Sequence, residues 1–311
     1  MLKNLELSSL KADLANVESL LATRQQDDDP IGWYQFSQRK SQLEEAIQAL
    51  AAQDSNHAAV ALYFGGRPVI GSRGIDATFA GRAIGTFQAI VAKRNATAGE
   101  GKVLKDRGRV PKKNDAALLV TEVARGSFGF VLEEAAKIEQ EQLLDTPLKR
   151  SVEEVTTLIR DLVKNDIEDA AEFLDDRILI SLREFFALLD DSGATMRIVE
   201  GDKDFQLDRD DISIAREKTD TIALVESERW EYGVLYITPD SQRFDLEVAP
   251  PNEVVKGRVD PDLLARLRQN QDQELKKFLG ARVRANLAVK DVTSVGRQVR
   301  STFTLTDIEP G

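Results

Sequence analysis

The chain has 311 residues, and its 42 lysines and arginines against 53 aspartates and glutamates give a formal net charge of −11. It has no cysteine and one histidine, which excludes disulfides, thiolate metal sites, cysteine nucleophiles and histidine-rich metal sites. It has no apolar stretch of about 18 residues and does not begin like a signal peptide. We therefore expect a cytoplasmic protein that does not span a membrane.

Hydrophobic patterning predicts an α+β protein that begins with a helical hairpin. Residues 1–53 carry two narrow apolar stripes at helical spacing, and Asp29 and Pro30 between them are typical of a helix start. Two such helices pack most simply as an antiparallel, coiled-coil-like hairpin. The hairpin could pack on its own protein, or it could dock a partner protein or a second copy.

Three further segments follow the hairpin. Residues 57–132 predict a mixed ββαββ-like domain that contains a long basic loop at 95–115. Residues 133–228 are acidic and mainly helical. Residues 229–311 alternate apolar and polar positions in short runs around one helix, which predicts a small β-barrel or a half-open sheet.

Charge is sorted into blocks along the chain. Between Arg67 and Lys113 there are 11 basic residues against 3 acidic ones, and between Lys276 and Arg300 there are 7 against 1. Residues 133–228 reverse the balance, with 12 basic against 27 acidic residues. Basic blocks can neutralise the phosphates of a polyanion, and the alternative is that they dock on acidic protein surfaces.

The candidate nucleic-acid contacts are basic residues in predicted loops, near predicted helix ends and on one face of a predicted sheet. Arg282, Arg284 and Asn286 alternate along a predicted strand, so they are expected to share one face of a sheet. The full set of candidate contacts is Arg73, Lys93, Arg94, Lys102, Lys105, Arg107, Arg109, Lys112, Lys113, Arg125, Arg282 and Arg284.

Catalytic motifs give little support for an enzyme, and we predict no catalytic residue, metal ligand or cofactor. Pro261 and Asp262, followed by Glu274 and Lys276, resemble the motif of PD-(D/E)xK nucleases over five residues. That resemblance implies a metal-dependent nuclease that uses carboxylates. In that family the Glu-x-Lys element lies on a strand, whereas the sequence around Glu274 predicts a helix.

The sequence therefore favours a non-enzymatic protein that binds nucleic acid or another polyanion. An accessory subunit of a larger bacterial assembly, such as an anti-phage defence system, fits this general character. Two alternatives stay open: a metal-dependent nuclease, and a protein–protein adaptor with no affinity for nucleic acid.

Overall fold

A computed structural model gives the structure of the chain, and its class is α+β. The described residues are 3–52, 56–98, 116–124, 128–135, 145–164, 173–248, 253–294 and 297–311. They form a helical hairpin, a five-stranded sheet that packs against helices, and a closed five-stranded barrel. No helix within these ranges is both long and apolar enough to cross a lipid bilayer.

The N-terminal hairpin is formed by α1 (Lys3–Ala22) and α2 (Pro30–Ala52), which pack along each other. The two apolar stripes face one another, and Val17 and Leu43 are their most buried members. Lys40 Nζ lies 2.8 Å from Glu18 Oε1, an ion pair that crosses between the helices. The other described members of the two stripes are half-buried, so the hairpin covers its own apolar stripes only in part.

A layered unit follows, in which the sheet has the antiparallel strand order β4-β5-β1-β6-β7. Its elements are β1 (Ala59–Gly66), β2 (Val69–Ile70), β3 (Gly74–Ile75), α3 (Ala77–Ala98), β4 (Leu118–Ala124), β5 (Phe128–Glu134), α4 (Pro147–Lys164), α5 (Asp176–Asp191), β6 (Ala194–Glu200), β7 (Lys203–Leu207) and α6 (Arg209–Thr221). The short strands β2 and β3 pair only with each other. The four helices and one face of the sheet enclose a single core.

Segments 57–132 and 133–228 share this sheet and this core, so the structure combines what the sequence suggests are two regions. Strand β1 lies between β5 and β6, which come from the two different segments. Val60, Leu62 and Phe64 point from β1 into the common core. Local patterning does not reveal this pairing, because β6 meets β1 over a long separation in sequence.

The C-terminal unit is a closed barrel, the first of the two arrangements that its sequence predicts. Its elements are β8 (Ile222–Thr238), β9 (Arg243–Val248), β10 (Glu253–Val259), α7 (Pro261–Phe278), β11 (Arg282–Ser294) and β12 (Arg297–Pro310). Strands β8, β9 and β10 form an antiparallel meander. After α7, β11 returns to the other side of β8, and β12 closes the barrel by pairing in parallel with β10.

Two glycines permit this closure. Strand β8 pairs with β11 as far as Val234 and with β9 from Gly233 onward, so Gly233 lies where one strand changes partners. A Cβ atom at Gly233 would lie 2.4 Å from the carbonyl oxygen of Glu247, and one at Gly257 would lie 2.1 Å from that of Phe303. Both positions therefore need a residue without a side chain.

The barrel is joined to the layered unit by the outward face of β8 and β11. At one end of these strands, Ile222, Leu224 and Val292 pack into the core of the layered unit. Leu235, Leu246 and other aliphatic side chains point the opposite way and fill the barrel. Further along β8, the outward side chains of Trp230, Tyr232 and Tyr236 remain exposed.

Candidate nucleic-acid interface

Three aromatic side chains project from alternate outward positions of β8. Trp230, Tyr232 and Tyr236 are 37%, 59% and 47% exposed. Leu235 and Ile237, which lie between or beside them, point into the barrel core. Side chains two residues apart on a strand share one face, so these aromatics form one row, which we call the aromatic stripe.

Arg284 lies close to two of the three rings of the aromatic stripe. It lies directly opposite Tyr232 on β11, and its guanidinium carbon is 4.5 Å from the centre of the Trp230 ring and 5.9 Å from that of Tyr232. Its Nη1 atom also donates a hydrogen bond of 3.2 Å to Glu309. A cation over an indole face is attracted by the ring quadrupole, which fixes the ring and places positive charge beside it.

Unsatisfied polar atoms accompany these rings. Arg284 Nε and Asn286 Oδ1 are buried atoms that lack a hydrogen-bond partner within the described part of the chain. Asn286 is the direct neighbour of Trp230 across the strand pair. Both atoms are enclosed by the surrounding protein, so the surface that a ligand can reach here is that of the rings.

Two of the acidic residues that border the aromatic stripe are ion-paired. Asp245, opposite Tyr236, lies 2.8 Å from Lys256 Nζ. Asp307, opposite Asn286, lies 3.0 Å from Arg266. These pairs reduce the negative potential that an approaching phosphate would meet.

Among the predicted contacts, Arg282 and Arg284 lie on the outward face of β11 together with Asn286, as the alternation indicates. The residues between them, Val283 and Ala285, are buried in the barrel. Arg73 is exposed on the loop between β2 and β3, in the layered unit. Arg282 and Arg284 are therefore the predicted contacts that flank the aromatic stripe.

Lys93 and Arg94 are placed differently, because both are used inside the layered unit. Lys93 Nζ donates to the carbonyl oxygen of Arg177 at 2.8 Å and also to Ser181 Oγ. Burial, and then the nearby charge of Arg177, lower the pKa of Lys93. Arg94 is 6% exposed, and its Nε lies 2.6 Å from Glu154 Oε2. We leave both out of the interface.

The remaining predicted contacts lie outside the described residues. They are Lys102, Lys105, Arg107, Arg109, Lys112, Lys113 and Arg125.

The nuclease-like residues are not arranged as that family requires. Pro261 and Asp262 begin α7, and Glu274 and Lys276 lie on the same helix rather than on a strand. Over the described ranges, no group of three or more histidine or acidic residues is close enough to hold a metal ion.

The residues predicted from the sequence to form the site do not include Trp230, Tyr232 and Tyr236. Their signal is the alternation of aromatic and polar residues from position 230 to 236, which predicts a strand but not which face is exposed. Only the register with β11 shows that the aromatics of one segment stand beside the basic residues of another.

The chain was compared with family models, curated proteins and solved structures, and none of the three comparisons finds a significant match.

Proposed function

We propose that this protein binds single-stranded nucleic acid without cleaving it, and that bases stack on the aromatic stripe. The observation that carries the proposal is the exposure of Trp230, Tyr232 and Tyr236 beside Arg284 on the outside of a barrel whose core is already filled. Since these rings are not needed to fill that core, their exposed faces are free to contact a ligand.

The chemistry of the aromatic stripe suits unpaired bases. Every base has a flat π face, so stacking on aromatic side chains tolerates sequence and contributes about 1–3 kcal/mol per base. Arg282 and Arg284 add positive charge beside the rings, and the basic residues of segment 99–115 would add phosphate contacts. Duplex DNA hides the faces of its bases and should bind more weakly.

The architecture is compatible with this function but does not carry it. Five-stranded barrels of Greek-key type include the OB folds, which bind oligonucleotides and oligosaccharides chiefly through their second and third strands. Here the aromatic stripe follows the first strand of the barrel, and its last member, Tyr236, lies beside the second. Because one fold supports many functions, the proposed function is inferred from the side chains of the aromatic stripe and not from the fold.

The test is a fluorescence-anisotropy titration with a labelled single-stranded DNA, the same sequence as RNA, and the duplex, at low and near-physiological salt. We expect the single strands to bind the native protein and the Trp230→Ala/Tyr232→Ala variant to bind at least about tenfold more weakly. Ile180→Ala is the control, because Ile180 is an apolar side chain that is 50% exposed on α5, in a different unit of the protein.

A second variant separates stacking from charge. Neutralising the basic residues of segment 99–115 should flatten the dependence of affinity on salt, because fewer counterions are released. The aromatic variant should weaken binding at every salt concentration and leave that slope in place. Binding that neither variant affects, or no binding by the native protein, would contradict the proposal and favour the adaptor alternative. Cleavage that requires Mg²⁺ would favour the nuclease.

We also propose that the helical hairpin docks a partner protein or a second copy through its tip. Ile31 and Tyr34 are 73% and 65% exposed, and Leu20 lies nearby on α1 and is 42% exposed. Ile31→Glu combined with Tyr34→Glu should disrupt the association measured by light scattering. A mass unchanged from that of the native protein, in the presence of the partner, would contradict this role.

A further inference from the structure

A cavity of about 430 Å³ lies where the outer face of the barrel meets the layered unit. Its floor is a row of paired residues across four neighbouring strands, in which Arg258 on β10 lies beside Thr304 on β12, Ala288 on β11 and Glu228 on β8. Arg258 and Glu228 lie on the two outer strands of this row. The floor is therefore positive at one edge and negative at the other.

A second row strengthens this polarity. Thr302, Lys290 and Glu226 lie side by side, one pleat further along the same strands. Thr302 and Thr304 are both on β12. This strand lies between β10, which carries Arg258, and β11, which carries Lys290. Two cations that flank two hydroxyl groups form a suitable seat for a phosphate or carboxylate. At the other edge, the small Ala288 leaves space in front of Glu228.

The roof comes from the layered unit. The guanidinium of Arg94 lies 5.1 Å from the centre of the Phe173 ring, and Lys290 Nζ donates a hydrogen bond of 2.5 Å to the carbonyl oxygen of Leu174. Asp175 accepts from the backbone N–H of Ile178 at 2.7 Å and caps α5. The groups that close the cavity are therefore held in place by their own packing.

Burial lowers the pKa of Lys290 and raises that of Asp175, so both charges are poorly solvated where they stand. An ion network that merely fastened the two units would neutralise such charges by direct contact. It would not need open volume of the size typical of small-molecule sites. The charges of Asp175 and Glu226 compensate that of Lys290 in part, and an anion in the open volume would add to this compensation.

We propose that this cavity binds a small molecule with an anionic group at one end and hydrogen-bond donors at the other. The anion lies between Arg258 and Lys290 over Thr302 and Thr304, and the donors face Glu228. Nucleoside monophosphates and amino acids share this chemistry. The cavity is lined by none of the three rings of the aromatic stripe, although Glu228 lies one pleat from Trp230 on the same face of β8. The proposal does not depend on the binding of nucleic acid.

The experiment is isothermal titration calorimetry on the full chain. One arm uses AMP, CMP, GMP and UMP, a second uses aspartate, glutamine and lysine, and inorganic phosphate tests the anion alone. We expect one arm to bind in the micromolar to millimolar range. Phosphate should bind more weakly, because it does not reach Glu228.

Three variants locate the site. Lys290→Met should weaken binding by about tenfold or more, since hydrogen bonds to charged groups are strong. Ala288→Leu fills the floor without removing a charge and should abolish binding even if the Lys290 variant folds poorly. Lys256→Met is the matched control, because Lys256 is an exposed lysine on β10, two residues from Arg258, and should leave affinity unchanged.

Absence of binding in every arm at millimolar concentration would overturn the proposal, as would binding that Lys290→Met and Ala288→Leu both leave intact. The Trp230→Ala/Tyr232→Ala variant should bind the small molecule normally. The two proposals can therefore fail independently.

Discussion

The layered unit and the barrel use aromatic residues in opposite ways. Phe64, Phe87, Phe185 and Phe186 are all buried in the layered unit, where Phe185 meets Phe186 at 5.7 Å and Phe87 at 6.5 Å between ring centres. In the barrel, aliphatic side chains and Phe244 fill the interior, Phe278 and Phe303 pack against them, and the aromatic stripe is exposed. Aromatic residues therefore stabilise the core of the first unit, whereas three of those on the barrel remain exposed.

Removing a buried phenylalanine from the layered unit should destabilise the protein most. Phe185→Ala should lower the free energy of unfolding by about 3–5 kcal/mol, because it leaves a cavity where a fully buried side chain stood. Trp230→Ala should lower it by about 1 kcal/mol, chiefly through the lost contact with Arg284. Urea denaturation followed by circular dichroism measures both. Equal losses would show that Trp230 is a structural residue and would end the comparison.

A substitution in the barrel tests whether this unit can be destabilised without the layered unit. Gly257→Ala places a Cβ atom against the carbonyl oxygen of Phe303 and the ring of Phe244 at the seam where the barrel closes. We expect a loss of about 3 kcal/mol, since the clash is with backbone that cannot easily move.

Hydrogen exchange locates that loss. Amides of β10 and β12 should exchange faster in Gly257→Ala, while those of β1 keep their protection. The control is Gly81→Ala, because a Cβ atom at Gly81 meets no neighbouring atom within 4 Å. Uniform loss of protection would mean that the barrel and the layered unit unfold as one cooperative body.

The sequence predicts elements in this chain better than it predicts their neighbours. Helical spacing and the start at Pro30 indicate the hairpin, and alternation indicates the strands of the barrel. Pairing between β1 and β6, and the start of β8 at Ile222 rather than near 229, depend on contacts between distant segments. Residues 212–225 favour neither helix nor strand locally, and tertiary packing makes them most of α6 and the beginning of β8.

The candidate site shows the same limit. The alternation of Arg282 and Arg284 predicts a shared face, and the register places them there. Lys93 and Arg94 belong to a basic block in sequence, but the rotation of α3 turns them toward Ser181 and Glu154. Charge counting cannot distinguish a cation on a surface from one that is used inside the fold.

Single substitutions in the aromatic stripe sharpen the binding half of the comparison. Tyr232→Phe should keep its affinity for single-stranded DNA, because stacking uses the ring and not the hydroxyl. Tyr232→Ala should lose about 1–2 kcal/mol of binding free energy. Quenching of Trp230 fluorescence by an unlabelled oligonucleotide measures both. If the phenylalanine variant loses as much as the alanine variant, the hydroxyl rather than the ring makes the contact.

The smallest effect compares one surface ion pair from each unit. In the layered unit, Arg197 holds Asp204 through two hydrogen bonds of 2.7 and 2.5 Å and also lies 5.5 Å from the centre of the Tyr63 ring. The hydrogen bond from Arg197 lowers the pKa of Asp204. The contribution of this ion pair to the free energy of unfolding is therefore complete above the ordinary pKa of an aspartate. It is lost as the pH falls through the lowered pKa of Asp204.

Both members of this pair are more than a third exposed, so Arg197→Met should cost only about 0.5 kcal/mol at neutral pH. That difference from the native protein should shrink in strong acid, where Asp204 becomes neutral, and in high salt, which screens the pair. Lys256→Met, which breaks the single contact with Asp245 on the barrel, should cost less, because that lysine is 69% exposed and makes one hydrogen bond. Urea titrations of the two variants at neutral and acid pH measure the difference. A larger loss for Lys256→Met would mean that the outer face of the barrel contributes to stability, and the aromatic stripe would then need a structural explanation as well.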